Sequence, residues 1–106
     1  MKAKIKDDIY YEIIEVDNQK DFPQQPSKDM LYYGQAVHYL QQIYLWSALP
    51  LSQKRQTLKH ELAHAFIQHH ALGNLENYDE ETLCDFIGSF GEEIINICND
   101  YFKEVK

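Results

Sequence analysis

Leu58-Lys59-His60-Glu61-Leu62-Ala63-His64-Ala65-Phe66 stands in the middle of a run, residues 51–71, that carries two superposed patterns. Leu58, Leu62, Ala65 and Phe66 recur at i, i+4, i+7 and i+8, which lines one side of an α-helix with apolar groups. His60, Glu61 and His64 fall on the opposite side and spell His-Glu-x-x-His, the pattern of zinc hydrolases. Residues four apart on a helix lie about 40° apart round the axis, with Cβ atoms roughly 5 to 6 Å from each other, so two imidazoles can converge on one ion. Glu61 then stands beside the ion's open face, where a carboxylate can take a proton from acidified water and hand it to a leaving amine. The competing reading is a pair of histidines satisfied in a core, and the apolar stripe on the other side weighs against it. A helix with an apolar side and a chemically loaded side suits the centre of a domain, between two layers.

The flanking sequence supplies those layers. Residues 9–16 (IYYEIIEV) are β-branched and aromatic and predict a strand. Residues 17–33, with Pro23 and Pro26, predict a loop or irregular lid over one edge. Residues 34–38 and 42–46 predict two short strands joined by a tight turn, and His38 is expected to be a strand histidine. Pro50 and Ser52 mark the start of the central helix, with Ser52 a candidate cap, and Gly73 suits its end. Asp79 can cap a last helix over residues 80–102, whose expected apolar stripe is Leu83, Ile87, Phe90, Ile94, Ile97 and Tyr101. The expected fold is therefore a single α+β domain over residues 1–106: a small twisted β-sheet packed on the central helix, with the C-terminal helix crossing its other face.

Composition narrows the functions open to such a domain. A net charge of −7, from 17 acidic against 10 basic residues, disfavours nucleic acid as partner. Met1-Lys2-Ala3-Lys4-Ile5-Lys6 is basic but runs into Asp7-Asp8 without the apolar segment of a signal peptide, and no apolar run approaches the roughly 20 residues of a membrane span. A cytoplasmic location, away from membranes, is the expectation. Cys84 and Cys98 are 14 residues apart, about 21 Å along one helix, which excludes a disulfide between them and favours buried thiols in a reducing compartment. Cys84 has no second cysteine at ligand spacing.

A two-histidine zinc site needs a third protein ligand. Glu81 and Asp85, four apart on the last helix, are candidates, and Gly88 one turn on would let another helix approach closely. His70 is the rival, six residues after His64, where metzincins place their third histidine. Those proteins turn the chain at a glycine, and Ile67 stands at that position here. His69 suits a core edge or a helix end. The donor that would face a developing oxyanion is not identified by the sequence; Tyr78, His69 and His70 are candidates.

His60-Glu61-Leu62-Ala63-His64, followed by Glu81-Thr82-Leu83-Cys84-Asp85-Phe86, resembles the gluzincin arrangement of HExxH plus a downstream ExxxD. From Gly34 through Ile43-Tyr44-Leu45 and Thr57-Leu58-Lys59-His60 to Gly88, the chain is similar to small ImmA/IrrE-type metallopeptidases of bacteria and their phages. The resemblance implies a minimal zincin-like domain with His60, His64 and Glu81 as zinc ligands, Glu61 as base, and Asp85 orienting an imidazole. It implies a peptide or protein substrate, which the strand at residues 42–46 could hold by strand addition. This chain departs from larger members in lacking an appended sensor or DNA-binding domain, and in having Cys84 where a small residue is usual. The alternative of another class is a catalytically silent zinc-binding protein of a phage or mobile element that acts by binding a partner. Glu61 discriminates, because a structural zinc site is closed by four ligands and needs no base.

Overall fold

The structure, a computed structural model, describes residues 1–24, 31–70 and 80–104. Its elements are β1 (Lys2–Lys6), β2 (Ile9–Val16), β3 (Gly34–Val37), β4 (Gln42–Trp46), α1 (Leu51–His69) and α2 (Glu80–Glu104), with 3-10 turns at Gln19–Asp21 and His38–Leu40. β1 is an addition to the elements expected above. Its signal is a strict alternation of lysine with Ala3 and Ile5: the lysines are exposed while Ala3 and Ile5 are buried. Asp7-Asp8 then turns the chain into β2, with Asp8 at φ 66°, a left-handed conformation that aspartate tolerates.

The sheet order is β1-β2-β4-β3, with β2 and β4 parallel and the other two pairs antiparallel. Register places Ala3 opposite Tyr11, Ile13 opposite Ile43 and Ala36 opposite Ile43, and cross-strand partners share a face. That face is covered by the helices. Leu58, Leu62, Ala65 and Phe66 of α1 are fully buried in one cluster with Ala3, Ile5, Tyr11, Ile13, Ile43 and Leu45, as their spacing predicts. Each large apolar side chain so buried contributes about 1.5–3 kcal/mol. The opposite face is covered in part by the 3-10 segment after β2. Phe22 is buried there with its ring 5.9 Å from that of Tyr32 and 6.5 Å from that of Tyr44. Gln35, also buried, accepts from the Gln24 N–H and donates to the Gln24 carbonyl.

α2 runs antiparallel along α1. Phe90 stacks near Phe66 and His70, while Cys98 donates to the carbonyl of Arg55 and Asn99 accepts from the Arg55 guanidinium. Glu15 of β2 ties the sheet to both helices, pairing with Lys54 of α1 at 2.8 Å and accepting from the Tyr101 hydroxyl of α2 at 2.5 Å.

Several expectations are corrected. α1 begins at Leu51 with Pro50 as its cap residue and no side-chain capping bond, so Ser52 lies inside the first turn. Leu83 and Ile87 are exposed, and the stripe α2 buries is Ile94, Cys98, Tyr101 and Phe102, with Phe86, Phe90 and Ile97 packed at its margin. Gly88 is exposed and a Cβ there would meet nothing within 4 Å, so it is not where the helices approach. His38 opens the 3-10 turn after β3 and does not belong to the strand. Gly73 and Asp79 lie outside the described residues. The expectation of buried thiols holds for Cys98 and is corrected for Cys84, which is exposed; neither forms a disulfide.

Candidate metal centre

α1 carries His60, Glu61 and His64 at the side turned from the core cluster. Because one helical turn separates them, the two imidazoles face each other, Nε2 to Nε2, at 3.2 Å, with rings inclined at 79°. Two nitrogens each about 2.0–2.1 Å from a tetrahedral zinc ion stand roughly 3.3–3.4 Å apart, so the pair fits that ion's first two ligand positions. With Glu61 they form a group whose ligand atoms all lie within 4.8 Å of one another, the only such trio of His, Cys, Asp or Glu among the described residues. Desolvation, and then the charge of His60, push the His64 pKa below its ordinary value, which favours the neutral, metal-binding imidazole.

Glu61 is placed by the edge of the sheet. The Tyr33 carbonyl accepts from the Trp46 N–H, so antiparallel alternation commits Tyr33, Gln35 and Val37 to β4 and turns the backbone groups of Gly34 and Ala36 away from it. The Ala36 N–H is thereby directed at the Glu61 carboxylate. Burial raises the Glu61 pKa above the usual carboxylate value, and the charge of His60 and the Ala36 hydrogen bond oppose that shift. Close approach of β3 to α1 requires Gly34. A Cβ there would lie 2.7 Å from Thr57 Cγ2, 2.9 Å from the Tyr44 carbonyl oxygen and 3.2 Å from Glu61 Cγ. Between them runs a cleft of about 330 Å³, walled by Tyr33 and Gly34 on one side and by Gln53, Gln56, Thr57, His60 and Glu61 on the other.

The other expected site residues are placed differently. Glu81 and Asp85 are exposed on the first two turns of α2 and are not brought into the group formed by His60, Glu61 and His64. His70 is committed elsewhere: its Nε2 donates to the Ile5 carbonyl at 2.8 Å, and its ring stacks on Phe66 at 5.5 Å and 7°. The helix runs through Ile67 unbroken, so the metzincin alternative has no turn to build on. β4 lies between β2 and β3 with both edges paired, which corrects the expectation that it could take up a substrate strand; β3 is the edge beside the site. Tyr78 lies outside the described residues.

Sequence reading also missed a second group. The Tyr11 hydroxyl lies 2.7 Å from His38 Nδ1 and 2.7 Å from His69 Nε2. Its signal was the alternation of Tyr11 with Ile13 on the inner face of β2, since a fully buried phenol needs a polar partner. Comparison of the chain with protein-family models, curated proteins and solved structures finds no match.

Proposed function

We propose that this chain is a zinc-dependent peptidase of minimal zincin-like form, acting in the cytoplasm on a peptide or protein substrate. The observation that carries the reading is the 3.2 Å approach of His60 and His64 Nε2 with the buried Glu61 carboxylate beside them. His60 and His64 would hold the ion. When bound, zinc supplies a Lewis acid that acidifies water and polarises the peptide carbonyl. Glu61, steadied by the Ala36 N–H, takes a proton from the attacking water and returns it to the leaving nitrogen. An extended substrate pairs with the outward backbone groups of Gly34 and with the Ala36 carbonyl, the Ala36 N–H being held by Glu61, and lies along the cleft beside Thr57.

Glu81 is the proposed third ligand and Asp85 the proposed partner of an imidazole; both assignments rest on the resemblance to ImmA/IrrE-type peptidases. Glu81→Ala is expected to lose most bound zinc, and zinc retained at the wild-type level removes Glu81 from the ligand set. The central test is Glu61→Gln. The purified wild type should hold about one zinc ion and cleave unfolded casein, and the variant should keep the metal while losing hydrolysis, because the base is not a ligand. A wild type without tight zinc, or a variant as active as wild type, overturns the reading.

A further inference from the structure

Tyr11 is fully buried, yet its hydroxyl sits between two imidazole nitrogens that belong to different elements, His38 after β3 and His69 at the end of α1. A phenol has one proton. It can donate to one ring only, so the other ring must donate to it. Two arrangements satisfy this. In the first, His69 Nε2–H donates to the phenol oxygen and the phenol donates to His38 Nδ1; both imidazoles then carry their proton on Nε2. In the second, both carry it on Nδ1. The Nε2–H form is the more stable tautomer of a neutral histidine side chain, so the first arrangement costs neither ring its preferred state.

The position of His38 gives this arrangement a use. β3 runs beside α1 with Gly34 against Thr57 and with the Ala36 N–H on Glu61. His38 follows Ala36 by two residues, about 6.6 Å of extended chain, while His64 follows Glu61 by three, about 4.5 Å of helix. On those rises the wall of β3 carries His38 past Glu61, to the stretch of α1 that runs from His64 to His69, whose ring lies 6.3 Å from that of His38. The cleft of Tyr33, Gly34 and Gln53 lies to the other side of the histidine pair. A peptide drawn along β3 across His60 and His64 meets His38 next, and His38 is only partly buried.

We propose that His38 is the hydrogen-bond donor to the substrate's carbonyl oxygen, fixed as its Nε2–H tautomer by the chain His69 to Tyr11 to His38. In this role His38 touches substrate, and Tyr11 and His69 are positioning residues. The proposal rests on the peptidase reading, and its test has two arms. The first is ¹⁵N NMR of imidazoles in the zinc-free chain, above the pH range of histidine titration. The wild type should show His38 and His69 protonated on Nε2, and Tyr11→Phe should leave His38 a mixture of tautomers; a wild-type His38 protonated on Nδ1 overturns the proposal. The second is casein hydrolysis by the zinc-loaded protein. His38→Ala should keep its zinc and KM and lose roughly 10²- to 10³-fold in kcat, the usual cost of removing one oxyanion donor. His38→Gln, whose amide can still donate, should recover part of that loss, and Tyr11→Phe should fall between. A kcat unchanged in His38→Ala overturns the proposal. A wild type that shows the Nε2–H signal but cleaves nothing overturns hydrolysis and leaves the hydrogen-bond chain supported; cleavage with an Nδ1–H His38 does the reverse.

Discussion

Two groups of histidines lie on or against α1 and differ in what completes them. His60 and His64 are exposed and aim Nε2 at Nε2 across 3.2 Å. His38 and His69 are half-buried, and each aims a nitrogen at the hydroxyl of a fully buried tyrosine. Two facing nitrogens share at most one proton and gain more from a cation that accepts both lone pairs. Two nitrogens either side of a hydroxyl are satisfied by the phenol's proton and one ring proton. The same side chain thus offers a pair of facing donor nitrogens in one place and flanks a buried hydroxyl in the other, and the neighbour decides which.

The widest separation between the groups should appear in metal content. His60→Ala or His64→Ala should bring zinc from about one ion per chain to near none, whereas His69→Gln should leave it close to wild type by elemental analysis. Zinc lost in His69→Gln and kept in His60→Ala would exchange the roles of the two groups.

Both groups depend on β3 being pressed against α1, and Gly34 is the contact. Gly34→Ala forces a methyl within 3 Å of Thr57 and of a backbone carbonyl, so it should lower stability by about 1–3 kcal/mol in denaturant titration. Stability unchanged there would mean that the strand and helix stand further apart.

Acid should act more mildly, and in the same direction on both groups, since desolvation also lowers the pKa of His64. Desolvation lowers the pKa of His38 and of His69 below the ordinary 6.5, with the neighbouring charges of His69 and His64 adding at His38 and those of His70 and Lys6 at His69. A histidine whose folded pKa is depressed contributes stability that is present above the unfolded value and is lost as pH falls through the folded one. The melting temperature of the zinc-free chain should therefore hold near neutral pH and decline as pH drops below about 6.5, with a shallower decline in His69→Gln. A melting temperature flat from pH 7 to 5 would show that neither ring is held neutral.

The smallest effect is expected far from either group. Gly88 is exposed on α2 with open space where a Cβ would go, so Gly88→Ala should raise stability by about 0.5–1 kcal/mol through helix propensity alone. A loss instead would place a partner against that face.

What was legible in the sequence follows from range. The Leu58, Leu62, Ala65 and Phe66 stripe, the helix that bears it and the approach of His60 to His64 all arise from residues within a few turns of one another, where the α-helical repeat alone sets the geometry. β1 was equally local and could have been found from the alternation of Lys2-Ala3-Lys4-Ile5-Lys6. The stripe of α2 was read two turns too far toward its start, because periodicity shows which side is apolar and not how much of that side another element reaches. Leu83 and Ile87 continue the pattern and are exposed all the same.

An α+β chain, and a helix that gathers His60, Glu61 and His64 within one turn, were within reach of the sequence, since binary pattern and helical pitch are properties of neighbouring residues. Packing across the chain set the rest: β3 and not β4 is the edge beside that helix, the Ala36 N–H meets Glu61, and Tyr11 joins His38 and His69 from 27 and 58 residues away. Strand order and such meetings follow from which surfaces pack together once the chain has closed on itself, and no local repeat encodes them.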